Sequence, residues 1–412
     1  MAGPIYVLGG YQTDFSANWA RNGMELADGI REVLAQGLDA VELEPRDLET
    51  VHVGNFAAEL FCNQGHLGGL VAAAHPDLAG VPASRHEGAC ASGSLAALAA
   101  SAELEAGRYG LAAVIGIEQM RNVPGDQAAK LIGPSAMWSG HECQDVKYPW
   151  PHVFSEVAEE YDRRYGLKSE HLWRIAEINF ANARRNPNAQ TRRWQFTPES
   201  FTADAQANPV IDGRIRKQDC GQISDGAAIV FLANEAVARR WAAAHGRPMG
   251  SLSRILGWGH RTAPISYQAK VEASRGQPYV FPFVRATIQD AFRRAGVAGV
   301  DAIDGIETHD CFTSTEYMAI DHFGITPPGE SWRAIESGDI ELGGRIPVNP
   351  SGGLIGLGHP VGATGVRMLL DCHKQVTGTA GDYQVEGADT FATLNVGGSA
   401  TTTVSFVVRR AG

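Results

Sequence analysis

Cys90 is the first residue whose surroundings favour chemistry. It lies among small residues in the stretch Arg85–Ser94, directly before a predicted helix from Leu95 to Glu105. No bulky side chain adjoins the sulfur, and the partial positive charge of a helix N-terminus favours a thiolate over a thiol. The alternative is a buried structural cysteine in an alanine-rich helix, because free cysteine is among the most buried residue types. The stretch alone predicts a nucleophile no more strongly than a packed side chain.

His359 lies in a glycine-rich turn, from Gly356 to Gly365, that precedes another predicted helix. The flanking glycines allow the backbone to come close to a ligand, and Pro360 stiffens the turn that aims the imidazole. A phosphate-binding loop is the alternative, but the spacing of the glycines is one residue too long for a dinucleotide fingerprint. The pattern therefore favours a catalytic histidine.

His309 and Cys311 follow the end of a predicted strand. Side chains at positions i and i+2 of an extended segment point to the same face, so the two groups would lie together. Such a pair can stabilise an oxyanion and transfer a proton, although an ordinary loop is the simpler interpretation of this segment alone. Near the C-terminus, the consecutive Gly397 and Gly398 follow another strand and expose backbone N–H groups that can form an oxyanion hole.

Short strands alternate with helices on both sides of these segments, which indicates an α/β layered fold. From Met120 to about Lys217 the chain becomes rich in charged and aromatic residues, which indicates an insertion. After Pro248 the same order of elements begins again and suggests an internal duplication. The predicted strands are 5–9, 50–53, 111–117, 227–232, 253–258, 303–307, 390–395 and 401–408, and the predicted helices are 24–36, 67–74, 95–105, 155–165, 169–186, 235–244, 283–295 and 366–375.

Composition narrows the function classes. The chain has 412 residues, 44% of them hydrophobic, and a formal net charge of -11, which argues against binding to nucleic acid or to an anionic membrane. Its six cysteines include no Cys-x-x-Cys pair, so neither a disulfide framework nor a zinc site is indicated. We find no basic-then-apolar N-terminal leader and no run of 18 apolar residues, and we expect a cytoplasmic protein.

The four segments together resemble the thiolase family. Glu-Gly-Ala-Cys-Ala-Ser-Gly around Cys90, His-Asp-Cys-Phe from His309, Gly-His-Pro-Val-Gly-Ala-Thr-Gly around His359 and the terminal Asn-Val-Gly-Gly stand in the order seen in thiolases, and Ser224-Asp225-Gly226 fits as well. The resemblance runs from about residue 4 to residue 408. His-Asp-Cys-Phe in place of Asn-Glu-Ala-Phe is similar to the sterol-carrier-protein type, and Asn395 replaces the usual second cysteine.

The resemblance implies a duplicated, layered αβαβα fold with an inserted loop domain. Residues 1–119 and 218–249 would form the N-terminal half, residues 120–217 a loop domain covering CoA, and residues 250–412 the C-terminal half. It also implies an acyltransferase of the acetyl-CoA C-acyltransferase type in lipid metabolism, with CoA as a substrate and with no metal or permanently bound cofactor. A homodimer is expected, and a small acyl-CoA-binding accessory protein is a possible further partner.

By the same resemblance, Cys90 attacks the 3-oxo carbon of a 3-oxoacyl-CoA while His359 takes its proton. His309 and His359 hold the enolate of the departing acetyl-CoA or propanoyl-CoA, and Cys311 replaces the missing cysteine as the acid that protonates it. The backbone N–H groups of Cys90 and Gly397 form the other oxyanion hole. The reverse Claisen condensation uses the same groups.

Two other functions remain open from the sequence. One is a carbon-acylating synthase of thiolase fold that acts on a non-CoA acceptor, and the other is a non-catalytic thiolase-like subunit of a complex. The stretch Tyr148–Pro151 would either shape an acyl pocket or pack inside the loop domain. The CoA-binding residues are not identified, but the candidates for its phosphates are Arg184, Arg185, Arg192, Arg193, Arg214, Arg216 and Lys217.

Overall fold

The computed structural model describes residues 3–412 and contains eleven strands. They are β1 (Ile5–Gln12), β2 (Thr50–Gly54), β3 (Ala83–His86), β4 (Leu111–Glu118), β5 (Val210–Asp212), β6 (Ile215–Arg216), β7 (Gly226–Asn234), β8 (Ser253–Thr262), β9 (Gly305–Thr308), β10 (Thr390–Gly397) and β11 (Thr402–Arg410).

Thirteen α-helices in the described residues connect and cover these strands. They are α1 (Leu26–Ala40), α2 (Ala58–Cys62), α3 (Leu67–Ala74), α4 (Ser92–Glu105), α5 (Gly125–Ser135), α6 (Pro149–Tyr165), α7 (Ser169–Ala183), α8 (Glu235–Ala244), α9 (Tyr267–Ala273), α10 (Pro282–Ala295), α11 (Thr313–Phe323), α12 (Ser331–Glu336) and α13 (Thr364–Thr377).

Nine strands form one mixed sheet in the order β3-β2-β4-β7-β1-β8-β11-β10-β9. The types of strand pairing form a palindrome: antiparallel and parallel pairs follow in the same order on both sides of the antiparallel contact of β1 with β8. Outward from this contact, each side has two antiparallel pairs followed by a parallel pair. The last pair on the first side is β2 with β3, and its counterpart on the second side is a parallel bridge between Ile306 and Val348. This symmetry confirms the duplication.

The helices form three layers around the two halves of the sheet. Helices α1, α3 and α8 cover the outer face of the first half, and α10 covers that of the second half. Between the halves, α4 and α13 pack against each other and against strands of both halves, around buried Ala96, Ala100, Val366 and Leu369. Together with the two half-sheets these layers give the predicted αβαβα order.

Helices α5, α6 and α7 and the β5–β6 hairpin all lie between residues 120 and 217. The Tyr161 hydroxyl of α6 donates a hydrogen bond of 2.7 Å to Asp321 of α11, so this segment packs on the second half. The boundaries of the loop domain stay a prediction.

Most sequence-predicted elements are present, and the differences have local causes. Helix α6 begins at Pro149, six residues earlier than predicted, because proline is well suited to the first helical turn. Strand β1 continues past the glycine pair to Gln12, with an irregularity in pairing between Val7 and Gly9. None of the helices in the described part of the chain is long and apolar enough to cross a membrane.

Candidate active site

A tight turn presents Cys90 to a cavity. The residues Ala89–Ala91 form a single 3-10 turn directly before α4, and Ala89 has a φ of 50°, a conformation that few non-glycine residues adopt. The Ser92 hydroxyl donates to the Ala89 carbonyl at 2.6 Å and accepts from the Gly88 N–H at 3.0 Å, which locks the turn.

Burial keeps the Cys90 thiol protonated in the resting site. It raises the pKa of Cys90 to about 12, although the backbone N–H groups of Gly398 and Cys90 itself act in the opposite direction. The expected thiolate at the helix N-terminus is therefore wrong, because desolvation of the sulfur outweighs the helix charge. A base must take the proton when the sulfur attacks.

Two histidines lie beside the Cys90 sulfur. The Cys90 sulfur and one ring nitrogen each of His309 and His359 lie within 4.8 Å of one another. The two rings meet edge to face, with 5.3 Å between their centroids. Burial lowers the pKa of His359 to about 3 and that of His309 well below its ordinary value, so both rings are neutral.

The hydrogen bonds of His359 assign its tautomer. Its Nδ1 lies 2.7 Å from the Thr364 hydroxyl, which in turn donates its proton to the Pro360 carbonyl at 3.2 Å. With its proton on the Pro360 carbonyl, the hydroxyl accepts from Nδ1–H, and this assignment leaves a free lone pair on Nε2. This Nε2 is buried without a partner in the described residues, and it has the form of a general base.

His309 has the opposite tautomer. The amide oxygen of Asn395 accepts from the Ser94 hydroxyl at 2.9 Å, so the amide nitrogen of Asn395 donates to the Cys90 carbonyl at 3.0 Å and to Nδ1 of His309 at 3.3 Å. Nε2 of His309 then carries the proton and is likewise buried without a partner. A neutral N–H donor on a ring beside Cys90 and His359 suits an oxyanion better than a metal ion, for which Nε2 would need a lone pair.

Cys311 lies on the same cavity. A space of about 100 Å³ is lined by Cys90, Cys311 and His359. Burial raises the pKa of the Cys311 thiol well above its ordinary value, and a negative charge on Cys90 would raise it further. The rest of the lining is mainly apolar: Phe56, Met120, Ile132, Ala136, Trp150, Phe154, Gly221, Gln222, Ile223, Phe312, Val361 and Gly398.

Comparison with protein families identifies the chain. Residues 5–236 match the model described as thiolase, N-terminal domain, and residues 268–410 match the thiolase C-terminal domain-like model. The chain belongs to the thiolase family. Thiolases are acyltransferases, and this chain is an enzyme of that class.

Two curated relatives extend over nearly the whole of this thiolase. An acetyl-CoA acetyltransferase from Methanothermobacter thermautotrophicus is 32% identical over 98% of this chain and 99% of its own length. Human sterol carrier protein 2 is 26% identical over 95% of this chain and 70% of its own length.

Solved structures share the thiolase fold. A Ltp2-ChsH2(DUF35) aldolase superposes with a TM-score of 0.78 at 20% identity, covering 99% of this chain and 98% of that one. Human mitochondrial 3-ketoacyl-CoA thiolase in complex with CoA superposes with a TM-score of 0.69 at 15% identity, covering 100% and 99%.

Two buried carboxylates position the His359 loop of this thiolase. Asp310 accepts backbone hydrogen bonds from Leu354 at 2.5 Å and Ile355 at 3.2 Å. Gly353 is required there, because a Cβ on it would lie 2.3 Å from an Asp310 oxygen. After the histidine, Glu118 at the end of β4 accepts from the Gly362 N–H at 3.1 Å. Neither role is predicted from the sequence, although Asp310 separates the two predicted site residues His309 and Cys311.

The glycine loop closes the remaining side of the site. Gly397 packs tightly against the Cys90 turn, since a Cβ on it would lie 2.0 Å from the Gly88 carbonyl oxygen. The neighbouring Gly398 lines the Cys90 cavity, and its backbone N–H acts to lower the pKa of the Cys90 thiol. The role of Gly397 in an oxyanion hole stays a prediction, and Gly398 joins it as a second candidate.

None of the basic residues that are candidates for binding the CoA phosphates lines the Cys90 cavity. The cleft lined by Arg184, Arg185, Arg192 and Arg193 measures about 600 Å³ and shares no lining residue with the Cys90 cavity. Arg214 pairs with Glu159 and Asp162. Trp150 lines the Cys90 cavity and also donates from Nε1 to the Ile132 carbonyl at 3.1 Å, so it both shapes the pocket and packs in its own segment.

Proposed function

We propose that this thiolase cleaves a 3-oxoacyl-CoA with CoA to give acetyl-CoA, or propanoyl-CoA, and a shortened acyl-CoA, or runs the reverse Claisen condensation. The intermediate is an S-acyl group on Cys90. One observation carries the proposal: the Cys90 sulfur and one ring nitrogen each of the neutral His359 and His309 lie within 4.8 Å of one another, and the Cys311 thiol lines the same cavity as Cys90.

The first half-reaction transfers the acyl group to the enzyme. His359 Nε2 takes the Cys90 proton as the sulfur attacks the 3-oxo carbon, whose oxygen is held by backbone N–H groups of Cys90 and Gly397. His359 now carries a proton on both nitrogens and becomes a second donor beside His309. The two hold the thioester oxygen of the enolate when the carbon–carbon bond breaks, and Cys311 gives its proton to the α-carbon.

The second half-reaction releases the acyl group. The Cys311 thiolate takes the proton of the incoming CoA thiol, and the CoA sulfur attacks the acyl group on Cys90. The Cys90 sulfur leaves and recovers its proton from His359. All groups return to their starting state, and CoA is consumed as a substrate.

We expect a homodimer. Strand β3 lies at the edge of the nine-stranded sheet and pairs only with β2 in the described residues, which leaves its other edge available to a second copy. The neighbouring face of α4 carries the half-buried Leu95 and Leu98 next to Trp258, around a cleft of about 540 Å³. Sedimentation velocity tests this expectation, and a monomer at micromolar concentration contradicts it.

A small accessory protein remains a further proposal. The Ltp2-ChsH2(DUF35) aldolase, whose name joins two proteins, shares the fold of this chain. If such a partner supplies CoA contacts, the chain alone should bind CoA weakly. Isothermal titration of the purified chain with CoA tests this, and submicromolar binding by the chain alone contradicts the need for a partner.

The function is tested with acetoacetyl-CoA and CoA. Mass detection of acetyl-CoA should show turnover, and the peptide containing Cys90 should carry an acyl group after rapid quenching. Cys90→Ala should abolish both signals, whereas Cys143→Ala, at a half-buried cysteine elsewhere, should abolish neither. Acyl-Cys90 without acetyl-CoA would instead favour a synthase with another acceptor, and turnover in Cys90→Ala would refute the mechanism.

A further inference from the structure

The turn between β10 and β11 is held in an unfavourable conformation. Gly398 has a φ of 62°, which glycine adopts without strain, but Ala400 has a φ of 64° although it carries a Cβ. The turn also borders the candidate active site, since Gly398 lines the Cys90 cavity and its backbone N–H acts to lower the pKa of the Cys90 thiol. Surrounding contacts must keep Ala400 in this conformation.

Lys270 of α9 supplies side-chain contacts on both sides of Ala400, in addition to the backbone hydrogen bond of 3.0 Å from the Thr401 N–H to the Gly397 carbonyl. Its Nζ donates to the Ser399 hydroxyl at 2.7 Å and to the Thr401 hydroxyl at 2.8 Å, which are the side chains on either side of Ala400. The third donor binds the Ile265 carbonyl at 3.1 Å. All three protons of the ammonium group therefore have acceptors, and two of the three acceptors belong to the strained turn.

The setting of Lys270 is unusual for a lysine. The residue is 3% exposed, and none of the carboxylates in residues 3–412 lies within 4.0 Å of its Nζ. Burial lowers the pKa of Lys270 to about 7, and the charge of Glu142 opposes that shift. A buried ammonium without a counter-ion is costly, and an apolar side chain would pack here without that cost. The feature that accounts for a lysine at this position is the turn around Ala400, to which Nζ of Lys270 donates two hydrogen bonds.

We infer that Lys270 is a positioning residue, which holds the Ala400 turn and thereby keeps the Gly398 N–H directed at the Cys90 sulfur. The inference rests on the proposed function in one respect, because it assigns that N–H to a nucleophile. Lys270 itself contacts no reacting atom and acts through Ser399 and Thr401.

The first variant is Lys270→Met, which keeps the length of the side chain and removes its donors. Loss of a complete oxyanion-type donor slows enzymes on the order of 100- to 1,000-fold, so a displaced one should lower kcat by about 10-fold or more. KM should change less than about twofold, because Lys270 does not line the Cys90 cavity. Lys374→Met, which removes a half-buried ammonium on α13, is the matched control and should retain kcat.

The decisive variant is Ala400→Gly in the Lys270→Met background. Glycine adopts the left-handed conformation without the Cβ penalty, so it should restore part of the lost kcat if the turn is what Lys270 holds. A purely structural role predicts no recovery. Ser399→Ala removes one of the two hydroxyl acceptors that Lys270 binds in the turn, so it should also lower kcat. This variant keeps the test available if Lys270→Met does not fold.

Alkylation of Cys90 gives a readout that needs no turnover. The rate of iodoacetamide labelling, followed by the mass of the Cys90 peptide, should fall several-fold in Lys270→Met, because a displaced N–H no longer stabilises the thiolate. An unchanged labelling rate, or a loss of kcat that Ala400→Gly does not recover, overturns the inference. If the native enzyme shows no thiolase turnover yet the labelling rate falls, the proposed function fails and the role of Lys270 stands.

Discussion

Thr364→Val tests the tautomer on which the proposed base depends. In the assigned tautomer the Thr364 hydroxyl, 2.7 Å from Nδ1 of His359, accepts from Nδ1–H and leaves Nε2 unprotonated. Valine has nearly the same shape and no hydroxyl, so Nδ1–H would be left buried without an acceptor. The Nδ1–H tautomer of the neutral ring then loses the hydrogen bond that favours it over the Nε2–H tautomer.

The expected size of the effect follows from the hydrogen bond. An unsatisfied buried donor costs about 1–3 kcal/mol, and this cost falls only on the reactive tautomer. At roughly 1.4 kcal/mol per factor of ten, acylation of Cys90 should slow by about 5- to 150-fold. The imidazolium formed during attack loses the same acceptor, which acts in the same direction.

The assay is the rate at which the Cys90 peptide gains an acyl group from acetoacetyl-CoA, measured by rapid quenching and mass spectrometry. Thr364→Ser keeps the hydroxyl and should stay within about threefold of the native rate, since the hydrogen bond is retained. Nitrogen chemical shifts of labelled histidine report the tautomer directly. Acylation by Thr364→Val at the native rate, or a native His359 protonated at Nε2, would refute the assignment.

Two further predictions concern Cys311 and His373. Cys311→Ala should still allow acylation of Cys90 but should slow exchange of the α-protons of acetyl-CoA into deuterated water by about 100-fold or more, the usual size of general acid–base catalysis; retained exchange would point to Asn395 or to a water molecule. His373 is buried, with Nδ1 2.9 Å from the Ser253 hydroxyl, and burial lowers its pKa to about 4. Because the unfolded chain binds this proton near the ordinary histidine pKa, stability is full above about pH 6.5 and is lost as pH falls through 4. His373→Gln should therefore reduce the difference in Tm between pH 7 and pH 5, the exposed His66→Gln should leave it unchanged, and an unaltered difference in His373→Gln would contradict the assignment.

The parts of the fold that the sequence predicts are those with a local signal. The apolar run 111–117 is the completely buried strand β4, and the acidic Glu25 and Asp28 that cap α1 lie at the start of the predicted helix 24–36. Helix α11 was missed because every one of its residues is buried, which leaves no polar stripe to show a helical period. The joining of the two half-sheets through β1 and β8 is also not predictable from local patterns, since it pairs residues that are 246 to 250 positions apart.

The candidate site also has parts that the sequence predicts and parts that it does not. The separate motifs were weak or open, and the resemblance to the thiolase family joined Cys90, His309, Cys311 and His359 into one set; the structure brings these four residues together. The protonation state of Cys90 was not predictable, because the cost of burying a charge depends on tertiary packing. Lys270 has no signal in its own helix, and its importance comes from a turn 130 residues further along the chain.

The palindromic sheet has a consequence for synthesis on the ribosome. The inner face of the first half is completed by α13, which begins at Thr364. Residues up to about 250 emerge first and can pair β1, β2, β3, β4 and β7, but the apolar face that α13 will cover stays open until about 115 more residues have been made. At translation rates of about 5–20 residues per second, that interval lasts several seconds to tens of seconds. During this interval the apolar face of the first half-sheet is not yet covered by α13. Binding to chaperones should therefore be strongest for polypeptides that end between residues 250 and 364.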